Sequence, residues 1–345
     1  MVLCLAMMLS IMVVGAGAAF ADQSDIDTKH QEAVDMCVAL NIITGFENGK
    51  FMPNDNVTRE QMAKMICVLD NGGKEPQLSA GNTFTDVPAD RWSNKYIEAC
   101  ASRGVVVGVG GGKFAPAGKV TATQAAKMLL VELGYDDDIQ QYSGSDWATK
   151  VNVDATKKGY YEDLEDIDVN APLTREHAAQ MIWNALQANE VEYSYTLVTN
   201  PDGSISSKVT VKDKFEDDTG KDGLTLLEDK YGYDTHLAVV TDVAYDDDDS
   251  TYTTEFALLD DDYNIVTRSD SSAPITGDFD GTTDYSDLFM MAVTVVYDDK
   301  GDPIAVAREN STVLAEGIVN NIDDVDGDNK ITIGDKELDG LNHFR

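Results

Sequence analysis

Residues 34–66, VDMCVALNIITGFENGKFMPNDNVTREQMAKMI, and residues 97–129, IEACASRGVVVGVGGGKFAPAGKVTATQAAKML, align with each other without a gap. Cys37 meets Cys100, Gly45 meets Gly108, Gly49-Lys50-Phe51 meets Gly112-Lys113-Phe114, and Pro53 meets Pro116. Val57-Thr58 meets Val120-Thr121, and Ala63-Lys64-Met65 meets Ala126-Lys127-Met128. A register held over this length marks an internal duplication. Residues 155–186, ATKKGYYEDLEDIDVNAPLTREHAAQMIWNAL, carry a third and more divergent copy, in which Thr174 falls on Thr121. Its turn is two residues shorter and has no Gly-Lys-Phe step.

Each copy reads as helix, loop, helix. The first helix ends near Asn41, Gly104 and Gly159, residues that accept the left-handed conformation of a helix C-terminus. The second helix starts at Thr58, Thr121 and Thr174. Thr58 with Gln61, and Thr121 with Gln124, have the spacing of a capping box, whereas His177 replaces the Gln in the third copy. Behind the first cap, Met62, Met65, Ile66 and Leu69 recur at helical spacing as one apolar stripe. Three hairpins with one apolar face each predict a helical bundle of approximate threefold symmetry.

This pattern resembles the S-layer homology domain family. The residues that carry the resemblance are Phe84-Thr85-Asp86-Val87 with Trp92, Gly104-Val105-Val106-Val107-Gly108, Gly112-Lys113-Phe114-Ala115-Pro116, and the Thr-Arg-Glu steps within 57–60 and 173–176. The resemblance covers about residues 24–190 and places the copies at 22–76, 77–138 and 139–190. It implies a three-pronged bundle that binds secondary cell-wall polysaccharide or a peptidoglycan-linked polymer, often capped by a pyruvylated sugar.

A first-turn Arg suits that ligand, because free backbone N–H groups and the positive dipole end already favour an anion there. The guanidinium fork adds paired hydrogen bonds to a carboxylate. Arg59 and Arg175 are therefore the expected anion ligands, Trp92 and Trp147 the expected sugar platforms, and Thr58 and Thr174 stand at the same helix mouths. The bland alternatives are ion pairs of Arg59 and Arg175 with Glu60 and Glu176 on a solvated face, Trp92 and Trp147 as core, and the threonines as caps only. The second copy reads Val120-Thr121-Ala122-Thr123 and should bind weakly. The first lacks the Phe-x-Asp-Val start and its Trp, with Asp25-Ile26-Asp27 as a poor substitute. If grooves form between copies, the Arg of one works with the Trp of another.

Upstream of the copies, residues 1–21 carry no charge, and Ala19-Phe20-Ala21 fits the small-x-small rule, which predicts a signal peptide ending at Ala21 and an exported, cell-surface protein. Cys37, Cys67 and Cys100 follow without metal-ligand spacing and read as small buried hydrophobes. The 62 acidic against 26 basic residues give a net charge of −36, which excludes nucleic acid as a natural partner.

The acidic excess concentrates in residues 191–345, which hold 36 Asp or Glu and 11 Lys or Arg. There, short runs such as 193–198, 208–211, 236–245, 251–259, 291–297 and 304–308 alternate with Asp/Gly turns, and predict an antiparallel sandwich or barrel. Asp324, Asp326, Asp328 and Asp335 have the spacing of a calcium loop. The loop's glycine position is Asn329, however, and the flanks look like strands, so an acidic-tipped β-hairpin competes. Enzyme motifs are absent from the sequence, and no cofactor is expected. The first reading is a wall-anchored surface protein. The alternatives are a wall-tethered enzyme and a calcium-dependent adhesion module.

Overall fold

The computed structural model describes residues 20–345 except 165, 203, 216–222, 248–250, 261–262, 270, 282–283, 299, 309–318, 326–327, 334–335 and 339–345. The chain divides into two compact units, one ending at Asp234 and one beginning at Thr235.

The first unit is built from three helix pairs. They are α1 (Gln31–Ala39) with α2 (Arg59–Asp70), α3 (Asn94–Ser102) with α4 (Ala122–Glu132), and α6 (Trp147–Lys157) with α7 (Arg175–Gln187); the short α5 (Asp137–Gln140) precedes the last pair. The first helix of each pair stops where the backbone turns left-handed, at Asn41 (φ 58°), Gly104 (φ 76°) and Gly159 (φ 73°). The second helices open on Thr58, Thr121 and Thr174. Both predicted capping boxes are formed, at Thr58–Gln61 and Thr121–Gln124, and Thr174 caps His177 N without the reciprocal half.

The pairs interlock in a closed order: α2 packs on α3, α4 on α6, and α7 on α1. Three backbone hydrogen bonds follow the same ring. Val120 N donates to Val57 O (3.0 Å), Leu173 N to Val120 O (2.8 Å), and Val57 N to Leu173 O (2.9 Å). Each residue stands just before the Thr cap of a second helix, so three helix mouths meet at one place. The helix starts use one another's loops as acceptors: Arg59 N and Glu60 N donate to Gly118 O and Pro116 O, Arg175 N and Glu176 N to Pro53 O, and Thr123 N to Val169 O. The free N–H groups of each first turn are thus satisfied by a neighbouring pair. The apolar stripes meet inside, with Met62, Ile66, Leu69, Ile97, Leu129 and Ile182 fully buried.

Composition changes at residue 191, but the hydrogen bonding does not. A hairpin of β1 (Val191–Thr199) and β2 (Ile205–Asp213), and a helix α8 (Leu226–Tyr231), belong to the helical unit. Val191 N donates to Leu133 O, Leu226 N to Ala188 O, and Lys158 Nζ to Asp213 Oδ1. The compact unit that holds the helix pairs extends to Asp234.

The second unit is β-rich. β3 (Asp234–Asp246), β4 (Thr251–Leu258), β5 (Thr276–Gly281), β6 (Ala292–Tyr297) and β7 (Pro303–Arg308) form one sheet in the order β5-β4-β3-β6-β7, with antiparallel β3–β4, β4–β5 and β6–β7 pairings. The edge strands β5 and β7 of this sheet approach each other. Ala238, Val240, Phe256, Val293 and Val295 fill its inner face. Separately, β8 (Val319–Val325), β9 (Asp328–Ile333) and β10 (Lys336–Leu338) form an antiparallel three-stranded sheet. Asp324 and Asp328 lie on the facing strands of its first hairpin, where Asp324 pairs with Asn329 and Val325 with Asp328. The segment is thus a hairpin rather than a loop between helices. Asp326 and Asp335 lie outside the described residues.

Candidate functional site

Arg59 is the first residue of α2, and its side chain leaves its own helix pair. Nε donates to Phe114 O (3.0 Å) and Nη2 to Val107 O (2.8 Å), while the guanidinium lies 4.4 Å above the Phe114 ring. The second pair's loop is shaped to receive it. Asp86 accepts from Phe114 N and Ala115 N (2.8 Å each), and these bonds outweigh burial to hold its carboxyl below the usual range. Burial pushes the Arg59 guanidinium down, and the Asp86 charge partly restores it.

This guanidinium forms part of a groove of about 360 Å³ that draws on all three helix pairs. The second pair contributes Val107, Val109, Gln124 and Lys127, and the third contributes Trp147 at the start of α6. Val107 and Val109 are 55% and 59% exposed, an apolar wall open to solvent. Lys127, in contrast, is buried: Nζ donates to Tyr142 O (3.2 Å) and makes a bent ion pair with Asp137 Oδ1 at 2.9 Å. Its charge is spent inside the protein. Arg59 keeps three of its five donors clear of protein acceptors among the described residues. The result is a slot with a cation on one side, apolar walls, and the partly buried Trp147 indole.

The other expected ligands are placed differently. Arg175 repeats the Arg59 geometry on the first pair's loop, with Nε to Phe51 O (2.8 Å) and Nη2 to Thr44 O (3.0 Å). It is only 4% exposed, sandwiched 4.6 Å from the Phe46 ring and 4.9 Å from the Phe51 ring, and burial pushes its pKa down to about 10. Arg175 is therefore mainly an inter-pair tie. Trp92 is 52% exposed, 6.2 Å from the Tyr96 ring, and outside the groove. Neither Trp is core. Thr58 and Thr174 act as caps.

The solvated ion pairs weighed for Arg59 and Arg175 do not form. Glu60 is buried and binds Arg91 through both oxygens (2.8 Å each) and Ser93 Oγ (2.6 Å). Glu176 accepts from Asp27 N (3.2 Å). In the second pair, Thr123 makes the equivalent reach, to Asn152 and Val169 O. Each Thr-Arg-Glu step is thus a latch: Arg engages the next pair's loop, and Glu engages the entry to the next pair's first helix.

The first copy does have a Phe-x-Asp start, which straddles the expected cleavage point after Ala21. Phe20-Ala21-Asp22 occupies the place of Phe84-Thr85-Asp86. Asp22 accepts from Phe51 N (2.8 Å) and Met52 N (2.9 Å), as Asp86 does from Phe114 and Ala115. Phe20 packs on Phe51 and Phe84 on Phe114. Gly45 and Gly108 allow these approaches, since a Cβ would meet Phe20 at 2.6 Å and Phe84 at 3.0 Å. A larger cleft of about 760 Å³, between the third pair and the β1–β2 hairpin, has a charged lining that includes Asp154, Lys158, Glu162 and Asp213, and contains none of the expected ligands. Among the described residues, no group of three or more His, Cys, Asp or Glu is placed to hold a metal, and no helix is long and apolar enough to cross a membrane.

Residues 20–63 and 83–126 match the family model of the S-layer homology domain. These stretches are the first two helix pairs with their Phe-x-Asp starts. The chain is 28% identical over 181 residues to the surface-layer 125 kDa protein of Lysinibacillus sphaericus, covering 49% of this chain and 15% of that protein. It is 31% identical over 194 residues to a cell surface protein of Thermoanaerobacter kivui, covering 54% and 24%. An endoglucanase of Bacillus sp. (strain KSM-635) is 30% identical over 154 residues, covering 41% and 16%. The chain thus spans a quarter or less of the length of these relatives.

Proposed function

We propose that residues 20–190 form a pseudo-threefold bundle of three S-layer homology copies that holds the chain non-covalently to a bacterial cell wall. The ring of backbone bonds through Val57, Val120 and Leu173 supports a third copy equivalent to the other two. The observation that carries the binding reading is the groove where Arg59 of the first pair and Trp147 of the third converge on the loop of the second. Its ligand is a wall glycan with an acidic substituent, such as a pyruvylated secondary cell-wall polysaccharide: the carboxylate meets the open Arg59 donors, and a sugar face lies on Trp147. The relatives named as surface-layer and cell surface proteins support this location.

The test is sedimentation of the full chain with purified wall polymer, with and without its acidic substituent. Retention that depends on the substituent and falls at least tenfold in Arg59→Ala supports the reading. Equal retention on both polymers would remove the acidic ligand. A second reading, a wall-tethered enzyme, is favoured by relatives named endoglucanase and amylopullulanase. Release of reducing sugar from wall glycan by the full chain would establish it.

A further inference from the structure

Cys67 and Cys100 belong to different helix pairs and meet at the seam where α2 packs on α3. Their sulfurs stand 3.5 Å apart, in contact, and both residues are buried. Each thiol also reaches a carbonyl across the seam, Cys67 to Tyr96 O (3.6 Å) and Cys100 to Ala63 O (3.5 Å). Cys37 shows what a solely structural thiol looks like in this bundle. It occupies the position of Cys100 in the first pair and points its sulfur at Ala179 O (3.4 Å) across the α7–α1 seam. There, however, Trp183 holds the place that Cys67 holds in α2.

We infer that Cys67 and Cys100 are a disulfide site, joined covalently when the chain folds in an oxidising medium, so that the first two helix pairs become stapled. The sulfurs need close by only about 1.5 Å to reach the S–S bond length of about 2.05 Å. The chemistry is thiol–disulfide exchange with a small-molecule disulfide. The thiolate of one of the two cysteines attacks one sulfur of the oxidant and expels one thiolate. The other cysteine then gives up its proton and attacks the protein sulfur of the mixed disulfide, expelling the second. Two protein thiols are oxidised to one disulfide, and one small disulfide is reduced to two thiols.

The thiolate is the reactive form. Both thiols are buried in the folded bundle, so exchange takes place before the helices close. The inference does not depend on what the groove binds.

The test uses the full chain carrying Cys4→Ser and Cys37→Ser, refolded from denaturant in a buffer of reduced and oxidised glutathione, then alkylated. The expected result is no alkylated cysteine, no glutathione adduct, a mass lower by about 2 Da than the reduced chain, and a melting temperature several degrees higher than with dithiothreitol. Two alkylated cysteines at every buffer ratio would overturn the inference, as would a stable glutathione adduct. The unmodified chain, digested without reductant, supplies the second measurement: a linked peptide pair containing Cys67 and Cys100 supports the site, and linkage of either residue to Cys4 or Cys37 instead overturns it.

Discussion

The Phe20 ring meets the Phe51 ring at 5.3 Å between centroids, tilted by 45°, and Phe84 meets Phe114 at the same 5.3 Å, tilted by 41°. The same contact is therefore made at two entrances of the bundle. A cut after Ala21 would remove one of them, together with the Ala21 N to Gly49 O bond (2.9 Å). Removing one well-packed aromatic ring costs about 2 kcal/mol. A chain beginning at Asp22 should therefore melt roughly 5 °C below one that retains Phe20. If export removes a leader, N-terminal sequencing of the surface form should find the first residue at or before Phe20. A first residue at Asp22, with undiminished melting temperature, would contradict this.

Arg59 and Arg175 should separate binding from stability. Both donate to two backbone carbonyls of the next pair's loop, but Arg175 is buried between two rings whereas Arg59 has open donors. Arg175→Ala leaves two carbonyls and two ring faces without their partner, and should lower stability by about 2–4 kcal/mol. Arg59→Ala should cost about 1 kcal/mol in stability and most of the wall affinity. Denaturant melts combined with wall sedimentation check both. Equal stability losses for the two variants would show that the groove does not distinguish them.

Glu132 gives the helical unit a pH dependence. Burial pushes its pKa up to about 7, against the attraction of Arg103 at 3.0 Å. A carboxyl with a raised folded-state pKa binds its proton more tightly in the folded chain than in the unfolded one. Its contribution to stability is therefore greatest below the unfolded value of about 4.5 and is lost as pH rises through about 7. Between these limits the loss is roughly 2–4 kcal/mol. In Glu132→Gln this descending slope between pH 5 and 7 should disappear from chemical-denaturation midpoints. A slope that persists in the variant would assign it to another group.

Much of this was legible in the chain. The duplication located the helix pairs, the Thr-x-x-Gln spacing located two capping boxes, and β-branched runs located β1, β3, β4, β6 and β7 to within a few residues. Other features have no local signal of that strength. α8 has no long apolar period, although Thr225 and Glu228 carry a capping box and Gly232 ends the helix in a left-handed turn (φ 68°). β5, Thr276–Gly281, is mostly Gly and Asp and takes its conformation from pairing with β4. Phe20-Ala21-Asp22 has the local chemistry of a cleavage site, and its role becomes visible only through Phe51 and Met52, about thirty residues away. The groove was legible as types of residue but not as a set. Nothing local specifies that the Arg of one copy and the Trp of another share a cavity; the ring of inter-pair contacts decides that.

Trp147 and Trp92 test that ring directly. The two indoles carry the same chemistry near the starts of α6 and α3, yet only Trp147 lines the groove with Arg59. A sugar ring stacked on an indole loses about 1–2 kcal/mol when the platform is truncated, by analogy with other aromatic contacts. Trp147→Ala should therefore weaken binding to the acidic wall polymer roughly tenfold, and Trp92→Ala should change it less than twofold. If both act through one ligand, Arg59→Ala and Trp147→Ala together should weaken binding by less than the product of their separate effects, as expected for groups that hold the same sugar. A tenfold loss in Trp92→Ala with none in Trp147→Ala would move the binding surface to the face of α3 and leave the groove without a role in anchoring.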